Sequence, residues 1–141
     1  MSCPFCRLIR EDSARWVARG PSACAFTPLD TLAPGHTLVV PTAHYRDVFD
    51  TPTEVLAETV DLVQRLAKAM RSALNATGVN VLNASGPDSE QSVPHLHFHV
   101  VPRWPDDGIS TWPNGQSRHR IAGDPAVQLA DALSAPEHHR S

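Results

Sequence analysis

The chain has no apolar run that approaches the length of a membrane span, and Met1-Ser2-Cys3-Pro4-Phe5-Cys6 lacks the basic and apolar regions of a signal peptide. The compartment expected on those grounds is the cytoplasm. Charge of one sign is missing too: 12 lysines and arginines against 15 aspartates and glutamates leave a net charge of -3, which is no electrostatic footprint for a nucleic acid polymer. Any nucleotide that binds is a small one. Cysteine is scarce, and three residues in a reducing compartment make no disulfide framework. Internal repeats and interdomain linkers are absent, so residues 1–141 read as one domain, long enough for a proper core. Hydrophobic residues at 41% and charged residues at 19% are ordinary for a soluble globular protein.

Against that plain background one stretch stands out, Pro94-His95-Leu96-His97-Phe98-His99-Val100-Val101-Pro102. Three of the eight histidines fall at alternate positions with apolar residues between them. The period of two predicts a strand with His95, His97 and His99 on one face at ~6.6 Å intervals and Leu96, Phe98 and Val100 on the other. A single histidine on a strand is usually a satisfied or solvated side chain. Three on one face repel and resist desolvation, so the cluster points to catalysis or metal binding.

The rest of the chain places this run. Cys3-Pro4-Phe5-Cys6 is half of a zinc site, because a closed structural site takes four ligands; a thioredoxin-like redox pair is the other reading of the spacing. Cys24, flanked by Ala23 and Ala25, reads as a small core residue. The segments 16–19 and 23–26, separated by Gly20-Pro21-Ser22, form a hairpin, and His36 to Val40 is a β-branched strand stopped by Pro41. Thr51 as cap, Pro52 at the first helical position and Glu54 three residues after the cap start a helix. Its apolar stripe is Val55, Leu56, Val60, Val63, Leu66, Ala67, Met70 and Leu74, its charges face solvent, and it stops near Asn75-Ala76-Thr77-Gly78, where glycine is the usual stop. Residues 79–83 are a strand, 84–91 a loop, and the histidine strand follows. A weak helix covers about 124–133, and from about 134 the chain reads as a mobile tail with incidental His138 and His139.

With Gln91-Ser92-Val93-Pro94 ahead of it and Val100-Val101-Pro102-Arg103 behind, the histidine run closely resembles the signature of the histidine triad (HIT) family, and the resemblance extends from Cys3 to Trp112. It implies an α+β fold, a five-stranded antiparallel sheet packed against one long helix, paired as a homodimer. It also implies cleavage at the α-phosphorus of nucleoside phosphoramidates, adenylates or dinucleoside polyphosphates through a nucleotidyl-histidine intermediate. His97 matches the nucleophile, His99 the histidine that contacts the phosphate or bridging oxygen, and His36 a supporting histidine. Gln91 and Ser92 match residues that bind the phosphoryl group and help the leaving group depart. Phe26, Leu29, Asp30 and Asn83 fall at nucleotide-binding positions. In the zinc-containing branch the metal is held by residues that match Cys3, Cys6, His44 and His95, a Cys2His2 set of the closed structural type.

Three positions depart from the family pattern. Pro28 stands where an acidic or amide residue often holds the ribose, with Asp30 as the available substitute; Ala84 replaces a common amide, and Glu90 a common glycine. Trp112-Pro113 resembles a C-terminal Trp-Pro that approaches the partner subunit's site in some members. Two other readings of the residues differ in class: an open catalytic zinc on the His-x-His pair, and a nucleotide-binding or partner-binding module with little turnover.

Overall fold

The computed structural model describes residues 2–135, so the expected tail at 136–141 lies outside the described residues. The chain divides into two compact units, Met1–Ser110 and Thr111–Ser141. The first holds a short helix α1 (Pro4–Glu11), strands β1 (Arg15–Arg19), β2 (Ala23–Thr27) and β3 (Thr37–Pro41), the long helix α2 (Thr53–Leu74), then β4 (Gly78–Leu82) and β5 (Phe98–Arg103). The five strands form one antiparallel sheet in the order β1-β2-β3-β5-β4. This is the expected α+β architecture. The second unit contains α3 (Pro125–Ser134), whose first turn is capped by the Asp124 carboxylate accepting the Ala126 N–H at 3.0 Å. Among the described residues no helix is long and apolar enough to cross a membrane.

Alternation along the strands gives the sheet two different faces. Ala23, Ala25, Val39 and Val100 point to one side, where Leu62, Val63, Leu66 and Met70 of α2 cover them. Cys24, Phe26, Leu38 and Val40 point to the other, where Phe5 of α1 packs among them. Each buried aliphatic side chain on the α2 side contributes roughly 1.5–3 kcal/mol relative to exposure. The α1 side carries the chemistry, since His99 is paired with Leu38 across β3 and β5.

Several local expectations change. The helix α1 was not foreseen; Cys3 caps it, Pro4 occupies its first position, and Asp12 ends it in the left-handed conformation at φ 52. Helix α2 starts at Thr53 with Pro52 as its flanking residue, and Thr51 donates its hydroxyl to the Asp47 carbonyl instead of capping. Its buried face is Thr59, Leu62, Val63, Leu66 and Met70, while Val60 and Leu74 are 45% and 42% exposed. Val63, Leu66 and Met70 are thus buried as the sequence pattern predicts, and Thr59 and Leu62 take the core places expected of Val60 and Leu74. The helix ends within the expected stretch 75–78, with Asn75 as its cap in the left-handed region at φ 58. Strand β5 begins only at Phe98, so His95 and His97 precede it.

Candidate active site and metal centre

The short strand explains the two roles of the histidine run. Before Phe98 the chain leaves the ladder: Leu96 donates its N–H to the Tyr45 carbonyl at 2.7 Å, and His95 donates its N–H to the Val93 carbonyl at 2.8 Å. His95 and Leu96 are fully buried and His97 nearly so. His95 thus turns away from its neighbours toward the N-terminus. Its Nε2 donates to the Pro41 carbonyl at 3.0 Å, which leaves Nδ1 with a bare lone pair.

That lone pair meets three other donors. Nδ1 of His95 lies 3.4 Å from Cys3 Sγ, 3.6 Å from Cys6 Sγ and 3.2 Å from His44 Nδ1, and Cys6 Sγ lies 3.3 Å from His44 Nδ1. A tetrahedral zinc with metal–nitrogen bonds of about 2.0 Å and metal–sulfur bonds of about 2.3 Å has nitrogen–nitrogen edges of about 3.3 Å and sulfur–nitrogen edges of about 3.5 Å. All four donor atoms lie within 4.8 Å of one another. Their surroundings by themselves favour uncharged donors: burial pushes the Cys6 thiol up, the adjacent Cys3 adds to that, and Arg10 opposes it. Burial also lowers His95, aided by His44 and His97 and opposed by the Pro41 carbonyl. A bound zinc reverses the thiol preference, since a coordinating thiol is deprotonated. The cluster is a structural zinc site. With four ligands from the protein it leaves no open position, and His97 and His99 stand outside it.

His97 and His99 form a second centre, their rings 5.2 Å apart. His97 Nδ1 donates to the His95 carbonyl at 2.8 Å, so its Nε2 is a bare acceptor. His36 fixes His99 in the opposite sense. Leu32 donates its N–H to His36 Nδ1 at 3.0 Å, so His36 carries its proton on Nε2 and donates it to His99 Nδ1 at 3.0 Å. His99 then keeps its own proton on Nε2. These tautomers are assigned from the hydrogen-bond network. Burial lowers His36 and His97, the latter against its carbonyl bond, and His99 is pushed down to about 4 by burial first and by His97 and His36 second. The pair is neutral at pH 7, with one bare nitrogen and one N–H.

The remaining candidates surround this pair unevenly. Asn83 donates its amide to the His97 carbonyl at 2.9 Å and accepts from Ser85 at 2.8 Å, bracing the backbone of His97. The Gln91 side chain is fully engaged: it accepts the Gly86 N–H at 2.9 Å and donates to the carbonyls of Arg46 and Val93 at 2.7 and 3.0 Å. It therefore shapes the loop that presents the exposed Ser92. Gln91 also lines an open cavity of about 650 Å³ with Arg46, Phe49 and Pro94. Phe26 is buried beneath the site, whereas Leu29 and Asp30 are exposed on the β2–β3 loop. Glu90, at the position where the family commonly has glycine, adopts the glycine-like left-handed backbone at φ 72. Gly35 is at φ 86, and a Cβ there would sit 2.6 Å from Leu74 Cδ1, so glycine lets the chain turn tightly into His36.

Phe5 was missed by the sequence reading. Its ring lies 5.2 Å from His97 at 87°, 5.8 Å from His95 and 5.3 Å from Phe26, so one residue of α1 touches both centres. The available signal was its place inside Cys-x-x-Cys, between two residues fixed to one metal.

A Cys2His2 metal site joined through His95 to the His97–His99 pair at the start of β5, on a five-stranded antiparallel sheet, defines a zinc-stabilised histidine triad protein. Comparison with known proteins agrees. The HIT domain family model matches residues 10–106, and the chain belongs to that family. It is 31% identical over 115 residues to the adenosine 5'-monophosphoramidase HNT1 of Saccharomyces cerevisiae, covering 79% of this chain and 70% of the yeast protein. A Zn-bound histidine triad family protein from Mycobacterium smegmatis superposes with a TM-score of 0.74 at 36% identity, over 79% of this chain and 81% of that one. A HIT family member from Bacillus subtilis gives a TM-score of 0.77 at 27% identity, over 98% and 100% of the two chains.

Proposed function

We propose that this protein is a nucleotide hydrolase or nucleotidyl transferase. It cleaves the bond between the α-phosphorus and the leaving group of nucleoside phosphoramidates, adenylates or dinucleoside polyphosphates. The observation that carries the reading is the opposed protonation of two adjacent neutral imidazoles, fixed by the His95 carbonyl for His97 and by His36 for His99. The relatives named as adenosine 5'-monophosphoramidases support the substrate class.

In this mechanism His97 Nε2 attacks the α-phosphorus, and the leaving nitrogen or oxygen takes the proton from His99 Nε2. The covalent His97 ring becomes cationic, and its Nδ1–H bond to the His95 carbonyl, 2.8 Å long in the resting protein, holds the charge. His99, now bare at Nε2, takes a proton from water as the water attacks phosphorus and releases the nucleoside monophosphate. A phosphate acceptor in place of water gives phosphorolysis. Ser92 donates to the phosphoryl oxygens, Asn83 and Gln91 hold the loop and backbone around them, and Phe26, Leu29 and Asp30 receive the nucleoside. The zinc supplies no step; it holds His95, and through it His97, in place. The active unit is a cytoplasmic homodimer.

The test is nucleoside monophosphate release from adenosine and guanosine phosphoramidates, an aminoacyl adenylate and diadenosine polyphosphates. Wild type is expected to cleave at least one class, and His97→Ala to abolish cleavage with zinc content and circular dichroism unchanged. Full activity in the variant removes the nucleotidyl-histidine. Tight nucleotide binding by wild type without product makes the chain a binding module.

A further inference from the structure

We propose that Cys3 and Cys6 are a redox-modification site: hydrogen peroxide joins them in a disulfide, which expels the zinc and disarms His97. The inference rests on the structural zinc and on His97 as nucleophile.

The two sulfurs are built for the reaction. Cys3 caps α1 and its Sγ accepts the Cys6 N–H at 3.4 Å, so both thiols sit in the first turn and converge on one centre. Both are partly exposed, whereas Cys24 is 1% exposed, with its Sγ 3.2 Å from Thr42 Oγ1. An oxidant therefore reaches two of the three thiols. One thiolate attacks peroxide, the O–O bond breaks, and a sulfenic acid and hydroxide form. The second thiolate attacks the sulfenic sulfur and expels the other hydroxide. Two sulfurs lose two electrons, one peroxide is reduced to two hydroxides, and zinc keeps two neutral histidines where it had two thiolates and two histidines.

The consequence runs through His95. Its Nδ1 is a metal donor, and its carbonyl fixes the tautomer of His97. His44 is the next link, because Tyr45 beside it accepts the Leu96 N–H at 2.7 Å. Phe5, between the two cysteines, packs on both His95 and His97. Pulling Cys3 and Cys6 together moves the residue that backs the nucleophile and releases the one that orients it.

The experiment treats zinc-loaded full-length protein with hydrogen peroxide beside a zinc-sensitive dye, counts remaining thiols and maps the disulfide by mass spectrometry. Metal content is measured first, at an expected one zinc per chain. The expected result is release of that zinc with a Cys3–Cys6 disulfide and Cys24 still reduced. Nucleotide cleavage then falls ~10-fold or more, the scale for losing a group that orients a reactive one. Dithiothreitol and zinc restore all of this, and Cys24→Ser behaves as wild type. Zinc retained while thiols oxidise, a disulfide through Cys24, or metal loss with sulfinic acid alone overturns the proposal. No zinc at the outset removes the zinc site and the switch together. Release with the disulfide in a protein that never cleaves a nucleotide keeps the modification site and removes the catalytic role of His97.

Discussion

Leu32 gives its backbone N–H to His36, and that bond decides where two protons sit, one on His36 and one on His99. The same packing makes His99 hard to protonate: burial, His97 and His36 bring it down to about 4 from 6.5. The sign of the pH effect follows. Above pH 6.5 the ring is neutral in folded and unfolded chain alike, and it favours neither. Between 6.5 and about 4 the unfolded chain binds a proton that the folded protein refuses, so stability is lost as pH falls through that window. Denaturant midpoints measured from pH 7 to pH 4.5 are expected to fall less steeply for zinc-loaded His99→Gln than for wild type. Parallel curves would assign the acid sensitivity to other groups.

The residues of this relay were legible, since His36, His97 and His99 all stood out by spacing or resemblance. Their duties were not, because the atoms that assign them are the backbone groups of Leu32 and His95, which no side-chain pattern encodes. Gln91 shows the same limit from the other side: it was expected at the phosphate, and its amide is occupied by three backbone groups.

Among the elements, α1 was invisible for a physical reason. An isolated eight-residue helix is marginal in water, and this one is fixed by tertiary partners, with Cys3 and Cys6 at the metal and Phe5 in the core. Patterning from Phe5, Leu8 and Ile9 was available but short. The long helix was plain from its periodicity, although a dense apolar stretch let Val60 and Leu74 pass for core in place of Thr59 and Leu62. The histidine strand was read too long because its period of two continued past the point where His95 leaves the ladder for the metal. If Phe5 joins the helix to both centres, Phe5→Ala removes a buried ring at a cost of ~3–5 kcal/mol. Chemical denaturation should show that loss, with zinc bound more weakly by competition against a chelator. Phe5→Leu is expected to recover most of the stability and less of the cleavage rate, because it fills volume without an edge-to-face contact on His97. Equal recovery of both would make Phe5 a packing residue alone.

At the scale of the whole molecule the sheet has two edges of different character. Strand β1 carries Arg15 and Arg19 and is irregular between Trp16 and Ala18, two features that discourage pairing with another strand. Strand β4, Gly-Val-Asn-Val-Leu, carries no charge, pairs in unbroken register with β5 on one side only, and leaves Val81 46% exposed. Exposed Val60 and Leu74 on α2 add apolar surface to the same unit. An uncharged, regular edge joins most readily to a copy of itself, antiparallel across a two-fold axis, where each strand supplies the pairing the other lacks. The homodimer implied by the family resemblance is therefore expected to form through β4. Sedimentation of wild type at tens of micromolar is expected to give the dimer mass. Val81→Lys, which sets two like charges across the axis, should raise the dissociation constant by ~10-fold or more while metal content stays at one zinc per chain. A dimer indifferent to Val81→Lys would place the interface on another surface, and a wild-type monomer would remove it.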